Sequence, residues 1–394
     1  MTSLRIALVV HGRFHIFDLA RELLHQGHDV TLFTNYPKRV CERFGVPRRR
    51  VVNCLTHGVA SRALAKLLPR SPGLRERWTN AAFGRWAART VPAHGRWDAV
   101  ACMSGVAEDL FDGLDAPETL RVLLRLSLHI REQKRILAEE ERAGGRRVEQ
   151  PSDWIVAREE REYERADLIQ VLAPFSLDSF VRAGVPREKL DLIYSAVNVS
   201  AFRPPAAVVE ARLQRLTAGE RLRVICAGTF CRRKGARFWG EMLEGASQAA
   251  QFRFVGSIAS DAAGIARSIG ARAEFRAKVP EASLREEYAW ADLFALPTLE
   301  EGSPAVVAQA LASRLPVITT TSCGASALVE NGLTGWIIPP SRSDALADCV
   351  RRLDADRAEL VAAVRRLRER EFSRDWSEYA RDFVRSIRDR REAT

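Results

Sequence analysis

The segment from residue 291 to residue 323, ADLFALPTLEEGSPAVVAQALASRLPVITTTSC, constrains the fold more than any other. Its short apolar runs at 293–296 and 315–319 predict buried strands, and the residues between them predict an acidic loop followed by a helix. A strand, a helix and a second strand in this order form a βαβ unit, with the loop at the carboxyl end of a parallel sheet. Open α/β sheets bind their ligands at that edge. The segment therefore predicts an α/β protein with parallel sheets and a ligand site in this loop.

The start of the predicted helix suits an anion. Ser303 is a predicted N-cap and Pro304 takes the first helical position. The backbone amides that follow, from Ala305 onward, have no partner within the helix, and the helix dipole favours a phosphate group beside them. Glu300 and Glu301 lie just before the helix and can accept hydrogen bonds from sugar hydroxyls. An anion site next to a hydroxyl site is what a nucleotide-sugar needs.

This segment resembles the donor-site signature of the retaining glycosyltransferases of family four, which have the two-domain GT-B fold. Glu301 and Gly302 match the family's Glu-Gly pair, and Gln309 stands where the family has a second Glu. The resemblance implies that Glu301 holds hydroxyls of the donor sugar and that residue 309 holds the ribose. Glutamine both donates and accepts hydrogen bonds, so ribose binding is compatible with this difference.

A second loop, GTFCRRKG beginning at Gly228, looks like the family's Gly-x-x-x-x-x-Lys-Gly phosphate loop. The resemblance assigns Lys234 to the donor pyrophosphate. Thr229 occupies a position where the family commonly has Arg, and either Arg233 or Arg232 is expected to supply that charge. The donor-binding residues that the resemblance implies are Gly12, Gly228, Thr229, Gly256, Val279, Gly302, Ser303, Pro304, Ala305 and Gln309.

The N-terminal half opens with a similar unit, in which LRIALVV predicts a buried strand, HGRF its loop and the next residues a helix. The loop lacks the Gly-x-Gly-x-x-Gly pattern, which argues against a dinucleotide cofactor. The resemblance puts Gly12 in the loop that faces the donor phosphates and the acceptor. His129 follows a predicted strand, where the family often has a His near the sugar. Because a lone His is more often structural, both readings of His129 stay open.

The length of 394 residues predicts two domains. The stretch GVPREKLDLIYSAVNVSAFRP resembles the family's hinge signature, and the polar residues from Pro204 to Glu220 predict an interdomain linker. We therefore predict an acceptor-binding Rossmann-like domain at 1–200 and a nucleotide-sugar-binding domain at 201–372. A C-terminal helix within 373–394 is expected to pack back on the first domain.

The formal net charge of +11 is concentrated between residues 37 and 97, which hold fourteen basic residues against Glu42 and Glu76. Two amphipathic helices are predicted there, at 61–68 and 74–91. Solvated helix faces and an interfacial helix on anionic lipid are both compatible with this pattern. Nucleic acid is not the expected partner, because no nucleic-acid-binding module accompanies the charge.

Several classes of protein are disfavoured by what the sequence lacks. No apolar run approaches the ~20 residues of a membrane span, and the first residues lack a signal-peptide cleavage pattern. The seven cysteines contain no Cys-x-x-Cys pair, which is typical of reduced thiols in the cytoplasm. No cluster of metal ligands is apparent, so neither a metal nor another cofactor is expected.

Together these features predict a retaining glycosyltransferase that moves a sugar from a nucleoside-diphosphate-sugar to the hydroxyl of a sugar or lipid-linked acceptor. Lys234, Arg233, Glu301 and His129 are the predicted catalytic residues. The expected setting is cell-surface polysaccharide or glycoconjugate synthesis, in the cytoplasm or at the inner face of the cell membrane through residues 37–97. An epimerase or phosphorylase of the same fold remains an alternative, as does a non-catalytic basic membrane- or nucleic-acid-binding protein.

Overall fold

Two parallel β-sheets, one in each half of the chain, form the framework of the protein. The computed structural model describes residues 3–67, 72–245, 250–370 and 374–392. The strands of the first sheet are β1 (Arg5–Val10), β2 (Asp29–Thr34), β3 (Val51–Asn53), β4 (Ala99–Met103), β5 (Leu120–Leu124), β6 (Leu168–Val171) and β7 (Leu190–Leu192). Those of the second sheet are β8 (Arg223–Ala227), β9 (Gln251–Val255), β10 (Glu274–Arg276), β11 (Leu293–Leu296), β12 (Val317–Thr320) and β13 (Gly335–Ile338).

The strand orders in the described ranges are β3-β2-β1-β4-β5-β6-β7 and β10-β9-β8-β11-β12-β13, with every pairing between these strands parallel. Both sheets reverse their order next to the first strand of the domain, as in a Rossmann-like fold. The central strands are apolar runs, because parallel sheets are covered by helices on both faces. The predicted α/β architecture of two Rossmann-like domains is confirmed.

Helices cover the two sheets. The helices of the first domain are α1 (Ile16–His25), α2 (Lys38–Arg43), α3 (Leu55–Leu67), α4 (Pro72–Ala93), α5 (Glu108–Asp112), α6 (Ile130–Gly144), α7 (Asp153–Arg165) and α8 (Pro174–Arg182). Those that follow are α9 (Val199–Phe202), α10 (Ala206–Thr217), α11 (Ala236–Gly245), α12 (Ala263–Ile269), α13 (Glu281–Trp290), α14 (Ala305–Ala312), α15 (Ser343–Ala355), α16 (Ala358–Glu369) and α17 (Trp376–Glu392). Short 3₁₀ turns lie at Arg48–Arg50, Arg187–Lys189, Arg232–Lys234, Gly270–Arg272 and Gly324–Leu328.

The C-terminal helix α17 packs on the first domain. Tyr379, Phe383 and Ile387 are buried in the same hydrophobic core as β1 and α1. The Tyr379 hydroxyl lies 3.0 Å from His15 Nε2 of the first domain, and it accepts a hydrogen bond of 2.5 Å from Gln170 Nε2. The amphipathic pattern of the last residues is therefore satisfied by burial against a distant part of the chain.

The segment predicted as a linker is largely helical, so that prediction is wrong for residues 206–217. Helix α10 begins after Pro205 and buries Arg212 completely. The Arg212 guanidinium donates hydrogen bonds to the carbonyl oxygens of Tyr288, Ala291, Ser313 and Arg314 at 2.6–3.2 Å. Burial lowers the pKa of Arg212 to about 10, so the side chain remains charged at neutral pH. These four hydrogen bonds attach helix α10 to the second domain. The polar sequence of the segment does not predict this attachment.

We predict that Arg212→Ala lowers the free energy of unfolding by about 3–5 kcal/mol, because it leaves four buried carbonyl groups without their donor. Urea unfolding followed by circular dichroism measures this loss. Glu210→Ala on the same helix is the control, since its ion pair with Arg368 is half exposed and worth at most about 1 kcal/mol. Equal stability of the two variants would contradict the role of Arg212.

Candidate functional site

The site is built from two loops that follow neighbouring strands of the second sheet. The loop after β8 and the loop after β11 lie side by side, because β8 and β11 are paired. The Arg233 carbonyl of the first loop accepts hydrogen bonds from Leu299 N at 2.9 Å and from the Thr298 hydroxyl at 3.1 Å. The two signature segments, which lie more than sixty residues apart in sequence, are thereby joined at the carboxyl edge of the sheet.

Two cations and one carboxylate meet at the centre of this site. Lys234 Nζ lies 3.0 Å from Glu301 Oε1, and Arg233 Nη2 lies 2.7 Å from the same oxygen. Burial alone would raise the pKa of Glu301, but the neighbouring Lys234 and Arg233 hold it below its ordinary value. Glu301 is therefore ionised at neutral pH and holds both cations in place.

The three consecutive basic residues of the first loop, Arg232, Arg233 and Lys234, do not all pair with the same carboxylate. Arg232 is buried and pairs with Glu140 of helix α6 at 3.1 Å, so it connects the two domains. Arg233 is one-third exposed and Lys234 is 16% exposed, and both lie beside Glu301. Of the two arginines considered for the charge that Thr229 lacks, Arg233 is the one at the site. The Thr229 hydroxyl itself lies 3.3 Å from that of Ser257.

Close backbone approach explains two of the predicted glycines. A Cβ atom at Gly302 would lie 1.6 Å from the carbonyl oxygen of Leu126 in the first domain, and one at Gly256 would lie 1.9 Å from that of Gly228. Neither position can hold a side chain without moving backbone. Gly12, in the loop after β1, donates its amide hydrogen to Asn35 Oδ1 at 2.9 Å.

The helix after Glu301 begins one residue later than predicted. Helix α14 starts at Ala305, with Pro304 at the N-cap position and no side-chain cap, so the prediction of Ser303 as the N-cap is wrong. Proline fits this place because its extended backbone leads into the helix. The first turn of α14 therefore begins three residues after Gly302.

Gln309 lies on α14 and is 5% exposed. Its side-chain nitrogen donates to Glu281 Oε1 at 3.3 Å, and its oxygen lies 3.5 Å from the Tyr288 hydroxyl. Val279, one of the predicted donor-binding residues, ends the segment 273–279 that is expected to continue the sheet towards the nucleotide base, and it is half-buried just before α13. Glu281 was not predicted from the sequence, since an exposed Glu at the start of a helix carries no distinctive pattern.

Glu300 has a different role from the one its sequence position suggested. It is fully buried, and its carboxylate accepts hydrogen bonds from the Ser127 hydroxyl and, at 2.8 Å, from the Gln133 amide of the first domain. Arg233 Nη1 lies 3.3 Å from its Oε1 atom. Glu300 therefore binds the two domains together instead of offering its oxygens to a sugar.

His129 lies inside the first domain, with 3% of its surface exposed. Its ring packs against Tyr163 and Phe180, and its Nδ1 atom accepts a hydrogen bond from Arg131 N at the start of α6. Burial, together with the nearby Arg125, lowers the pKa of His129 to about 4. These contacts give the residue a capping role, and its predicted contact with the donor sugar stays a prediction.

A polar cavity of about 390 Å³ lies in the first domain, at the carboxyl ends of β1, β4 and β5. His11, Glu76 and Asn80 line it, together with an ion pair of 3.1 Å between Arg125 and Glu159. Burial and the neighbouring His57 lower the pKa of His11 to about 4, so its ring is neutral. The cavity also includes Leu126, whose carbonyl contacts Gly302, and so adjoins the loop after β11.

A wider hollow of about 510 Å³ lies against β13 and α15, lined by residues such as Trp336 and Arg352. None of its lining residues belongs to either signature loop. Within the ranges that the structure describes, no group of three or more His, Cys, Asp or Glu is arranged to hold a metal ion. All seven cysteines carry free thiols.

Curated relatives match part of the chain. It is 29% identical over 216 residues to a GDP-mannose-dependent α-(1-6)-phosphatidylinositol monomannoside mannosyltransferase of Mycobacterium tuberculosis, across 50% of this chain and 54% of that protein. It is 33% identical over 91 residues to the amylovoran biosynthesis glycosyltransferase AmsK of Erwinia amylovora, across 22% of each chain. The chain thus spans about half the length, or less, of these two relatives.

The fold is shared over the whole chain with HepE of Anabaena, which was solved in complex with UDP. The two structures align with a TM-score of 0.69 at 13% identity, across 98% of this chain and 100% of the other. The family model described as "Glycosyltransferase Family 4" matches residues 13–201, and the model described as "Glycosyl transferases group 1" matches residues 221–356. These matches cover both domains and both signature loops, so the chain belongs to the group 1, family 4 glycosyltransferases.

Proposed function

We propose that this protein transfers a sugar from a nucleoside-diphosphate-sugar to an acceptor hydroxyl, with retention of configuration at the anomeric carbon. The observation that carries the proposal is the convergence of Lys234 and Arg233 on Glu301, directly before the first turn of α14. The membership of the chain in a glycosyltransferase family supports it. The named polysaccharide and glycolipid enzymes among its relatives support a role in cell-surface polysaccharide or glycoconjugate synthesis.

The chemistry asks the protein chiefly to stabilise a leaving group. When the bond between the anomeric carbon and the donor pyrophosphate breaks, positive charge develops on the sugar ring and negative charge gathers on the pyrophosphate. Lys234 and Arg233 offset that negative charge, with help from the amides at the start of α14. Glu301 orients the two cations and accepts hydrogen bonds from the sugar hydroxyls. His129 is neutral at pH 7, so in this proposal it contributes a hydrogen-bonding ring and no positive charge.

We propose that the reaction needs no metal ion. The pyrophosphate of a nucleotide-sugar is often neutralised by a divalent cation, and two basic side chains beside Glu301 are available here to supply that positive charge. The donor is a substrate, and no further cofactor is required for the transfer. Activity is therefore expected to persist in the presence of EDTA.

The first-domain cavity is the proposed binding site for the sugar end of the acceptor. Its carboxylates, Glu76 and Glu159, are hydrogen-bond acceptors for hydroxyl groups, and its Arg125 is already paired. Burial raises the pKa of Glu76, whose carboxylate also accepts a hydrogen bond of 2.7 Å from the Ser152 hydroxyl. A cavity with these charges suits a neutral, hydroxyl-rich group more than a phosphate.

The surface of α3 and α4 is the proposed contact with an anionic membrane. Leu55, Val59, Arg62 and Lys66 recur along one face of α3, and all four are exposed. Trp78, on α4, is 60% exposed and lies within one helical turn of cavity residues such as Glu76. Exposed apolar side chains among basic ones are typical of helices that lie in a lipid interface. Within the described ranges, no helix combines the length and hydropathy that a membrane span requires.

This surface also supports a lipid-linked acceptor. The same first turns of α4 carry the exposed Trp78 on one side and the cavity residues Glu76 and Asn80 on another. An acceptor with its lipid in the membrane would therefore have a short path for its sugar to the cavity. We propose that the protein works at the inner face of the cell membrane, bound peripherally.

We predict that Lys234→Ala lowers the rate of donor turnover by about 10²–10³-fold, equivalent to about 3–4 kcal/mol, because it removes a cation from the leaving group. Release of nucleoside diphosphate from UDP-glucose and from GDP-mannose, with water as the acceptor, measures the rate without a known acceptor. Both assays are run with EDTA.

Lys38→Ala, an exposed lysine on α2, is the matched control and is expected to keep the wild-type rate. A folded Lys234→Ala protein with the wild-type rate would contradict the proposed leaving-group role. Dependence of the wild-type rate on added Mg²⁺ or Mn²⁺ would contradict the metal-free mechanism.

We predict that the protein binds vesicles of phosphatidylglycerol and phosphatidylcholine, and that a combined Leu55→Ser, Val59→Ser, Trp78→Ser variant binds at least about tenfold more weakly. Vesicle flotation measures the bound fraction. Because the basic residues contribute, raising NaCl from 0.1 M to 0.5 M is also expected to weaken binding.

Leu333→Ser is the control, since Leu333 is 48% exposed but lies in the second domain. Equal flotation of the triple variant and the wild type would show that α3 and α4 do not form the contact. Absence of wild-type binding would favour solvated helix faces instead.

A further inference from the structure

Gln309 stands where the family signature has its second glutamate, so this chain lacks a carboxylate at the position assigned to the donor ribose. A carboxylate is nevertheless present there. Glu281, in the first turn of α13, places its Oε1 atom 3.3 Å from the Gln309 side-chain nitrogen. The local charge that Gln309 does not carry is therefore supplied from a neighbouring helix.

The orientation of Gln309 makes it a support for Glu281. Its oxygen lies 3.5 Å from the hydroxyl of the buried Tyr288, and its nitrogen donates to Glu281. A glutamine at 309 can hold a neighbouring carboxylate by donation, whereas a glutamate in the same place would repel it. An amide at residue 309 is therefore compatible with a carboxylate at residue 281, and a carboxylate at residue 309 is less so.

The Glu281 carboxylate is open to a ligand, because its side chain is 56% exposed. Its second oxygen lies 3.9 Å from Arg13 Nη2, which belongs to the loop after β1 in the first domain. The carboxylate is therefore at the cleft between the domains. In sequence it is two residues beyond Val279, and in space it contacts Gln309 of α14, a helix that begins four residues after Glu301. A ribose lies between the base and the pyrophosphate of any nucleoside diphosphate.

We propose that Glu281, positioned by Gln309, binds the ribose hydroxyls of the nucleotide donor in place of the missing second glutamate. An ionised carboxylate accepts hydrogen bonds from the 2′- and 3′-hydroxyls at once. The single amide oxygen of Gln309, which already lies near the Tyr288 hydroxyl, is a weaker acceptor for both. This inference rests on the proposed donor site. It makes Glu281 the residue that distinguishes ribonucleotides from 2′-deoxyribonucleotides.

The test compares UDP, GDP and ADP with dUDP, dGDP and dADP by isothermal titration calorimetry on the full chain. We expect the wild type to bind its preferred ribonucleotide about tenfold more tightly than the deoxy form. Glu281→Gln is expected to bind that ribonucleotide about tenfold more weakly and to lose most of the preference. Glu286→Gln is the matched control, because it removes the same charge from an exposed position on the same helix.

The double variant Glu281→Gln, Gln309→Glu restores a carboxylate at the family position and is expected to regain the preference for ribose. A Glu281→Gln protein with wild-type affinity and wild-type preference would overturn the inference while leaving the proposed donor site intact. A wild type that binds none of the six nucleotides would overturn the proposed donor site, and the role of Glu281 with it. Melting temperatures of all variants exclude loss of fold as the cause.

Discussion

The geometry of the candidate site depends on one buried carboxylate, that of Glu300. A buried charge is tolerated only where it is paired and hydrogen-bonded, and here the partners come from both domains: the Ser127 hydroxyl, the Gln133 amide and the Arg233 guanidinium. The same contact brings the backbone of Gly302 against the Leu126 carbonyl. The Glu300 carboxylate therefore links the two domains and contacts Arg233 at the same time, so the position of Arg233 depends on groups from the first domain as well as the second.

Three consecutive basic residues show how tertiary contacts divide one sequence motif into different roles. Arg232 turns to Glu140 in the first domain, whereas Arg233 and Lys234 converge on Glu301. Arg237, one helical turn on, bonds the same Glu140 at 2.8 Å. The loop that carries Arg233 and Lys234 therefore contacts the first domain through two carboxylates, Glu140 and Glu300.

The first domain combines two surfaces that are rarely apparent from sequence. Glu76 and Asn80 of helix α4 line a polar cavity, whereas Trp78 between them is exposed to solvent. Neighbouring residues of this helix therefore lie in different environments. Asn80, Phe83, Ala87 and Val91 recur on one face of this helix and are buried, whereas Trp78 lies on another face. The cavity adjoins the loop after β11 through Leu126, whose carbonyl oxygen contacts Gly302.

By itself, the sequence determined the alternation of strands and helices, the two parallel sheets and the two signature loops, because apolar periodicity and the Gly, Pro and Glu positions that mark those loops are local. It also placed Lys234 and Glu301 in one site. Only the tertiary structure decided that Glu300 joins the domains, that Arg212 turns a polar segment into a packed helix, and that Glu281 lies beside Gln309. Each of these depends on which polar groups, distant in sequence, come into contact. For Glu300 and Arg212 burial sets the role, because an unpaired charge is costly away from water.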